Sequence, residues 1–187
     1  MQEGRGKHPE PVTRRPPAPP AAASPRLHSR QLILTLILGL AAGILAVDLL
    51  TKHLAEQALR SDTSFKSIRV IPGCLDFRWS ENRGAVFGMG QGMGALFIAF
   101  TLIATVAILW VGLTHGRRSL LLTIGLGLLL GGALGNLYDR IFYLYVRDFI
   151  YAYAGTHVWP TFNFADMAIC AGAGVVILYS FRQPSES

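Results

Sequence analysis

Only eleven Asp and Glu occur in 187 residues, and four of them, Asp48, Asp139, Asp148 and Asp166, stand beside long apolar stretches. An ionisable group at membrane depth is costly to keep, so each of the four is a candidate for function. Two share a local pattern, Asn136-Leu137-Tyr138-Asp139 and Asn163-Phe164-Ala165-Asp166. On a helix, the i, i+3 spacing sets each Asn on the face of its Asp, where an amide can hold a carboxylate in place. Two close carboxylates do not both ionise. They keep one proton between them, one member acting as base and the other as acid, and such a pair activates water against a peptide carbonyl with neither metal nor covalent intermediate. No other catalytic equipment competes: His53, His115 and His157 are scattered, without a His-Glu-x-x-His run or a serine elbow. No metal and no cofactor is expected. The same residues also admit structural readings, with Asp139 paired to Arg140, and Asp166 satisfying the free N–H groups at the start of a helix.

The elements that would position these groups are membrane helices. With 51% hydrophobic and 15% charged residues and a mean hydropathy of +0.40, the chain does not suit a soluble single domain. A hydrocarbon core needs about 20 apolar residues per helix, and four stretches come near that length: Leu32–Leu50, Leu96–Leu113, Leu120–Tyr138 and Ala165–Phe181. The first reads as an uncleaved anchor, because the lead before it is long for a signal peptide and no small-x-small site follows. Arg26 and Arg30 precede it, Arg117 and Arg118 lie between the second and third stretches, and Arg182 follows the fourth. By the excess of basic residues on the cytoplasmic side, both termini and that turn are expected in the cytoplasm. Thr51–Ala95 and Asp139–Phe164 then face outward, and Asp48, Asp139 and Asp166 gather at one outer boundary: the first ends a helix, the second ends another, the third begins one.

The expected fold class is therefore an all-α integral membrane protein of four transmembrane helices, with a small β-rich periplasmic segment. Leu75, Phe77 and Trp79 alternate with Asp76, Arg78 and Ser80, and Pro72-Gly73 supplies a turn after Ile68–Ile71, which together predict two short strands. Gly131-Gly132-Ala133-Leu134-Gly135 has the small-xxx-small form of close helix packing. The expected domains are a disordered proline-rich tail over 1–30, a membrane domain over 31–182 with an outer insertion over 52–94, and a short tail over 183–187. The formal charge of +6 suits anionic lipid headgroups as a partner better than nucleic acid, since the basic residues of the first tail are scattered among prolines without interleaved aromatics. Cys74 and Cys170 fall in an outer loop and in the fourth stretch and read as free thiols.

Five ordered motifs then carry a resemblance. Asp48-Leu49-Leu50-Thr51-Lys52, Asn82-Arg83-Gly84-Ala85-Val86-Phe87, Gly131 to Arg140, Val146-Arg147-Asp148-Phe149, and Phe162-Asn163-Phe164-Ala165-Asp166 resemble the motif set of the lipoprotein signal peptidases, or signal peptidase II. The likeness spans about residues 32 to 181, nearly everything after the tail. It implies a bacterial inner-membrane aspartic endopeptidase that removes signal peptides from diacylglyceryl-modified prolipoproteins by cutting before the lipidated cysteine. By motif position, it implies Asp139 and Asp166 as the catalytic pair, oriented by Asn136 and Asn163. Arg140 would balance charge, and Asp48, Lys52, Asn82, Arg83, Gly84 and Ala165 would support the pair or touch substrate. Asp148 would steady the outer turn. Val86 and Arg147 depart from the residues common at their places. A monomer is expected. Two rivals are a proton-coupled transporter, which should show inverted repeats and charges near the bilayer midplane, and a non-catalytic scaffold, which would need no carboxylate pair.

Overall fold

The computed structural model describes residues 29–60, 66–84, 93–116 and 119–182. The proline-rich tail, the turn at Arg117 and Arg118, the stretch Ala85-Val86-Phe87 and the last five residues lie outside the described residues. Four helices are long and apolar enough to cross a membrane: α1 (Arg30–Leu59), α2 (Gly94–His115), α3 (Leu120–Phe142) and α4 (Phe164–Phe181). Ser29 and Ser119 cap α1 and α3 through their side-chain oxygens, as residues before an apolar helix commonly do. Apolar side chains that a soluble protein would hide instead face outward. On α2, Phe100, Ile103, Val106 and Trp110 are all exposed and only Gly112 is buried, as a lipid solvent requires.

The first helix is longer than its apolar stretch suggested. It spans 30 residues, about 45 Å at 1.5 Å per residue, against about 30 Å of hydrocarbon. Asp48 therefore does not end α1; it lies inside it, and the helix runs on to Leu59 through residues expected in the outer insertion. One buried stripe explains the continuation: Ile33, Ile37, Ala41, Asp48, Lys52, Ala55 and Leu59 recur at helical spacing. The first three pack against Leu122, Leu126 and Leu130 of α3 in one apolar cluster. Ala55 and Leu59 support a second cluster with Trp79, Tyr145 and Phe149.

That second cluster lies under a four-stranded antiparallel sheet of order β1-β2-β3-β4, formed by β1 (Ser67–Ile71), β2 (Leu75–Asn82), β3 (Val146–Ala154) and β4 (His157–Val158). The first two are the strands read from the alternation, joined at Gly73 with φ +80, a value glycine adopts at no steric cost. The other two come from the second outer segment and were not foreseen. Val146, Arg147, Asp148 and Phe149 are all buried, so β3 lacks the period-two pattern that would have marked it. Opposite Ser80, Glu81 and Asn82 of β2 stand Asp148, Arg147 and Val146. A bridge between Ile150 and Phe162 ties β3 to the start of α4.

Glycines let α3 sit between its neighbours. A Cβ on Gly127, Gly131 or Gly135 would strike Leu40, Ile44 or Asp48 of α1, while one on Gly132 would strike the carbonyl oxygen of Ala165 in α4. The small-residue run is thus a packing surface on two sides. Gly132→Ala is expected to lower the thermal midpoint in detergent through a loss of about 1–3 kcal/mol, whereas Gly39→Ala, with nothing within 4 Å of the new methyl, leaves it unchanged or slightly higher. Coincident melts for the two variants would show that the backbone contact is not limiting.

Candidate active site

Polar groups of α1, α3, α4, β2 and β3 meet where the helices adjoin the sheet, and they sort into two sets. The first is ionic. Lys52, wholly buried, places its Nζ 2.7 Å from Asp48 Oδ2 and 3.1 Å from Asp139 Oδ2, joining α1 to α3. Asp48 Oδ1 also accepts the backbone N–H of Ala165 at 2.9 Å, which fastens the first turn of α4 to α1. Arg147 donates to Asp139 Oδ1 from Nε at 3.0 Å and Nη2 at 2.8 Å, and to Oδ2 from its backbone N–H at 2.9 Å. Buried charges survive when paired and hydrogen-bonded in this way. The chain can return so soon after α3 because Leu144 takes a left-handed φ of 65, a conformation that costs a non-glycine residue about 1–2 kcal/mol.

The second set holds carboxylates with amides instead of cations. Asp148 accepts from Asn163 Nδ2 at 2.6 Å and from Asn82 Nδ2 at 3.0 Å. Asp166 Oδ1 accepts from Asn136 Nδ2 at 2.8 Å and its Oδ2 from the backbone N–H of Asn163 at 3.1 Å, while Asn163 Oδ1 accepts the backbone N–H of Asp166 at 3.0 Å. The last two bonds are a reciprocal cap on α4. Asn163 therefore touches both carboxylates, and Asn136 links the two sets, because its Oδ1 accepts from Lys52 and from Asn163, each at 3.2 Å. Among the described residues neither Asp148 nor Asp166 has an ion-pair partner. Burial, and then the neighbouring Asp166 carboxylate, push the Asp148 carboxyl up to about 7, against the lowering effect of the Asn82 and Asn163 amides. Asp166 is half-buried, so the pair can be reached from outside.

Several expected residues are where the motifs imply, with altered partners. Asp139 is gripped by Lys52 and Arg147, whereas the carboxylate that shares an amide with Asp166 is Asp148. Arg140, the partner suggested for Asp139, instead donates to the carbonyl oxygens of Asn136 at 3.3 Å and Gly84 at 3.4 Å. Each Asn of the repeated pattern serves carboxylates on other elements, Asn136 that of Asp166 and Asn163 that of Asp148. Asn163 is the cap before α4 rather than a helical residue. Gly84 donates its N–H to Asn82 Oδ1 at 3.0 Å. Arg83 is not brought to this cluster: it is exposed and points to Glu81 at 3.5 Å. Reading by local spacing missed Arg147 and gave Asp148 a lesser place. The one available signal was a pair of ionisable residues set in an apolar run, Tyr145 to Ile150. Among the described residues no three His, Cys, Asp or Glu gather as metal ligands would.

Known proteins share this arrangement of chain. A family model described as signal peptidase (SPase) II matches residues 40–182. A lipoprotein signal peptidase of Nitratidesulfovibrio vulgaris is 41% identical across 80% of this chain and 92% of its own, and one of Clostridium novyi is 37% identical across 67% and 86%. A solved bacterial membrane enzyme superposes with a TM-score of 0.71 at 28% identity, covering 83% of this chain and 95% of that one. The order of motifs, the four apolar helices and these likenesses agree, and the chain belongs to the signal peptidase II family, a family of bacterial membrane proteases.

Proposed function

We propose that this lipoprotein signal peptidase cuts its substrate with Asp148 and Asp166, and that Asp139, for which the motifs suggested that role, is instead a positioning residue. The observation that carries the reading is the division of partners. Asp139 receives two cations and a backbone N–H, which occupy both of its oxygens. Asp148 and Asp166 receive only neutral donors and are linked through Asn163, the environment in which two acids hold one proton between them. A water between them would lose a proton to the ionised member as it attacks the scissile carbonyl carbon. The protonated member would then supply the proton that the departing amine needs.

The substrate class is a lipid-modified prolipoprotein, cut before its lipidated cysteine. Such a substrate is anchored by its own helix and acyl chains, so it diffuses in the membrane plane. Carboxylates at the junction of helices and sheet meet the scissile bond at its natural depth. The basic residues flanking the helices, Arg30 and Arg182 among those described, support an orientation with both termini in the cytoplasm and the sheet on the outer face of the inner membrane. One copy of the chain holds every residue of the site, which supports a monomer. The transporter alternative has no support from the family.

Cleavage of a diacylglyceryl-modified prolipoprotein by detergent-solubilised protein tests the assignment. Asp148→Asn and Asp166→Asn are each expected to lower turnover by about 10²–10⁴-fold while leaving the fold intact. Asp139→Asn should retain measurable turnover and instead lower the thermal midpoint. If Asp148→Asn cleaves normally and Asp139→Asn does not, the pair is Asp139 with Asp166. A pH profile adds a second check. Because Asp148 keeps its proton up to about 7, turnover should fall on the alkaline side as that shared proton is lost, by about tenfold per pH unit. A flat profile from pH 7 to 9 would contradict a shared proton. Lys52→Met leaves Asp48 and Asp139 buried without their common ammonium, for an expected loss of about 3–5 kcal/mol, read as a lower melting midpoint. Adding Asp48→Asn should recover part of it.

A further inference from the structure

Arg147 is almost wholly buried, yet every nitrogen of its guanidinium is engaged. Nε and Nη2 hold Asp139, while Nη1 lies 3.4 Å from Glu56 Oε2 and 3.3 Å from the Tyr143 hydroxyl. The guanidinium carbon sits 4.1 Å from the centre of the Tyr143 ring, a stacking geometry that a planar cation suits. Its own peptide N–H is spent on Asp139 as well, and the next residue along β3 is Asp148. From Glu56 the charges continue outward in alternating sign through Arg60 at 3.0 Å, Glu81 at 3.5 Å and Arg83 at 3.5 Å. Inward they run through Asp139 and Lys52 to Asp48. Among the described residues, Arg147 is the single link between the exposed and the buried parts of this chain of charges.

We propose that Arg147 is a positioning residue of the cleavage reaction, whose fork fixes the start of β3 on Asp139 and whose charge offsets the negative field that the buried carboxylates of α1 and α3 put on Asp148 and Asp166. The inference rests on the assignment of Asp148 and Asp166. Without the guanidinium, Asp48 and Asp139 divide one ammonium, and the negative field at Asp148 grows. The charged groups around Asp148 are then Lys52 of α1, Arg140 of α3 and Asp166 of α4. Removing a cation from this set raises carboxyl affinities for protons; removing an anion lowers them.

Three variants and their pH profiles of prolipoprotein cleavage separate this role from plain structural support. Arg147→Leu is expected to lower kcat by about tenfold or more with KM within about twofold, and to move both limbs of the profile upward by about one pH unit. Arg147→Lys keeps the charge and loses the fork, so its limbs should stay at wild-type positions with an intermediate kcat. Glu56→Gln removes an anion from the outer side of the guanidinium and should move the limbs slightly downward, giving a test even if Arg147→Leu does not fold. A leucine variant with unmoved limbs, a lysine variant shifted like leucine, or a Glu56→Gln profile identical to wild type would each overturn the proposal. Asp148→Asn, run alongside, separates the two readings: if it cleaves normally, the assignment of the carboxylate pair has failed, whatever Arg147 does.

Discussion

One ammonium, that of Lys52, sets the terms for the rest of the structure. It is fully buried between Asp48 of its own helix and Asp139 of α3, where a lone charge would be prohibitively costly. Three consequences follow from holding it there. Asp48 is oriented to take the Ala165 N–H, so the start of α4 is fixed to α1. Asn136 turns its oxygen to the ammonium and its amide to Asp166. Gly135 is required, because a Cβ there would occupy the place of the Asp48 carboxylate. The close approach of three helices and the placing of polar groups between them are one arrangement seen from two sides.

Around that centre the protein separates carboxylates by the kind of donor they receive. Cations go to Asp48 and Asp139; amides and a helix-start N–H go to Asp148 and Asp166. An amide steadies a carboxylate without fixing its charge, so a proton can come and go. A guanidinium or ammonium holds the carboxylate in place by charge. The sheet is part of this separation, since β3 delivers Arg147 to one set and Asp148 to the other from adjacent positions. Trp79, Tyr145 and Phe149 packed on the end of α1 hold that strand where both deliveries are possible.

Much of this was legible in the sequence, and the failures have a common cause. Hydropathy located all four helices, alternation located β1 and β2, and the glycine run of α3 declared its packing role. Local spacing could not assign partners. Asn136 and Asp139 share a helix face, but the amide reaches across to α4, and Asp139 turns to Lys52 and Arg147. The polar residues Asp48 and Lys52 made α1 seem to stop where its buried stripe only changes character. Strand β3 was missed because its first four residues are buried on both faces and carry two ionisable side chains. What the sequence could not display was which groups lie opposite each other, and that is a property of tertiary contact.

Asn163 joins two jobs that proteins often keep apart. Its side chain closes the first turn of α4 and also steadies Asp148, while its backbone N–H holds Asp166. The helix start and the proposed hydrolytic pair are therefore completed by the same few bonds. Because α4 follows β3 in the chain, a growing polypeptide holds Asp148 and its Asn82 amide before it has the second supporting amide, that of Asn163. The proposed pair is complete only once α4 is in place, so a chain that still lacks this helix holds one carboxylate of the two.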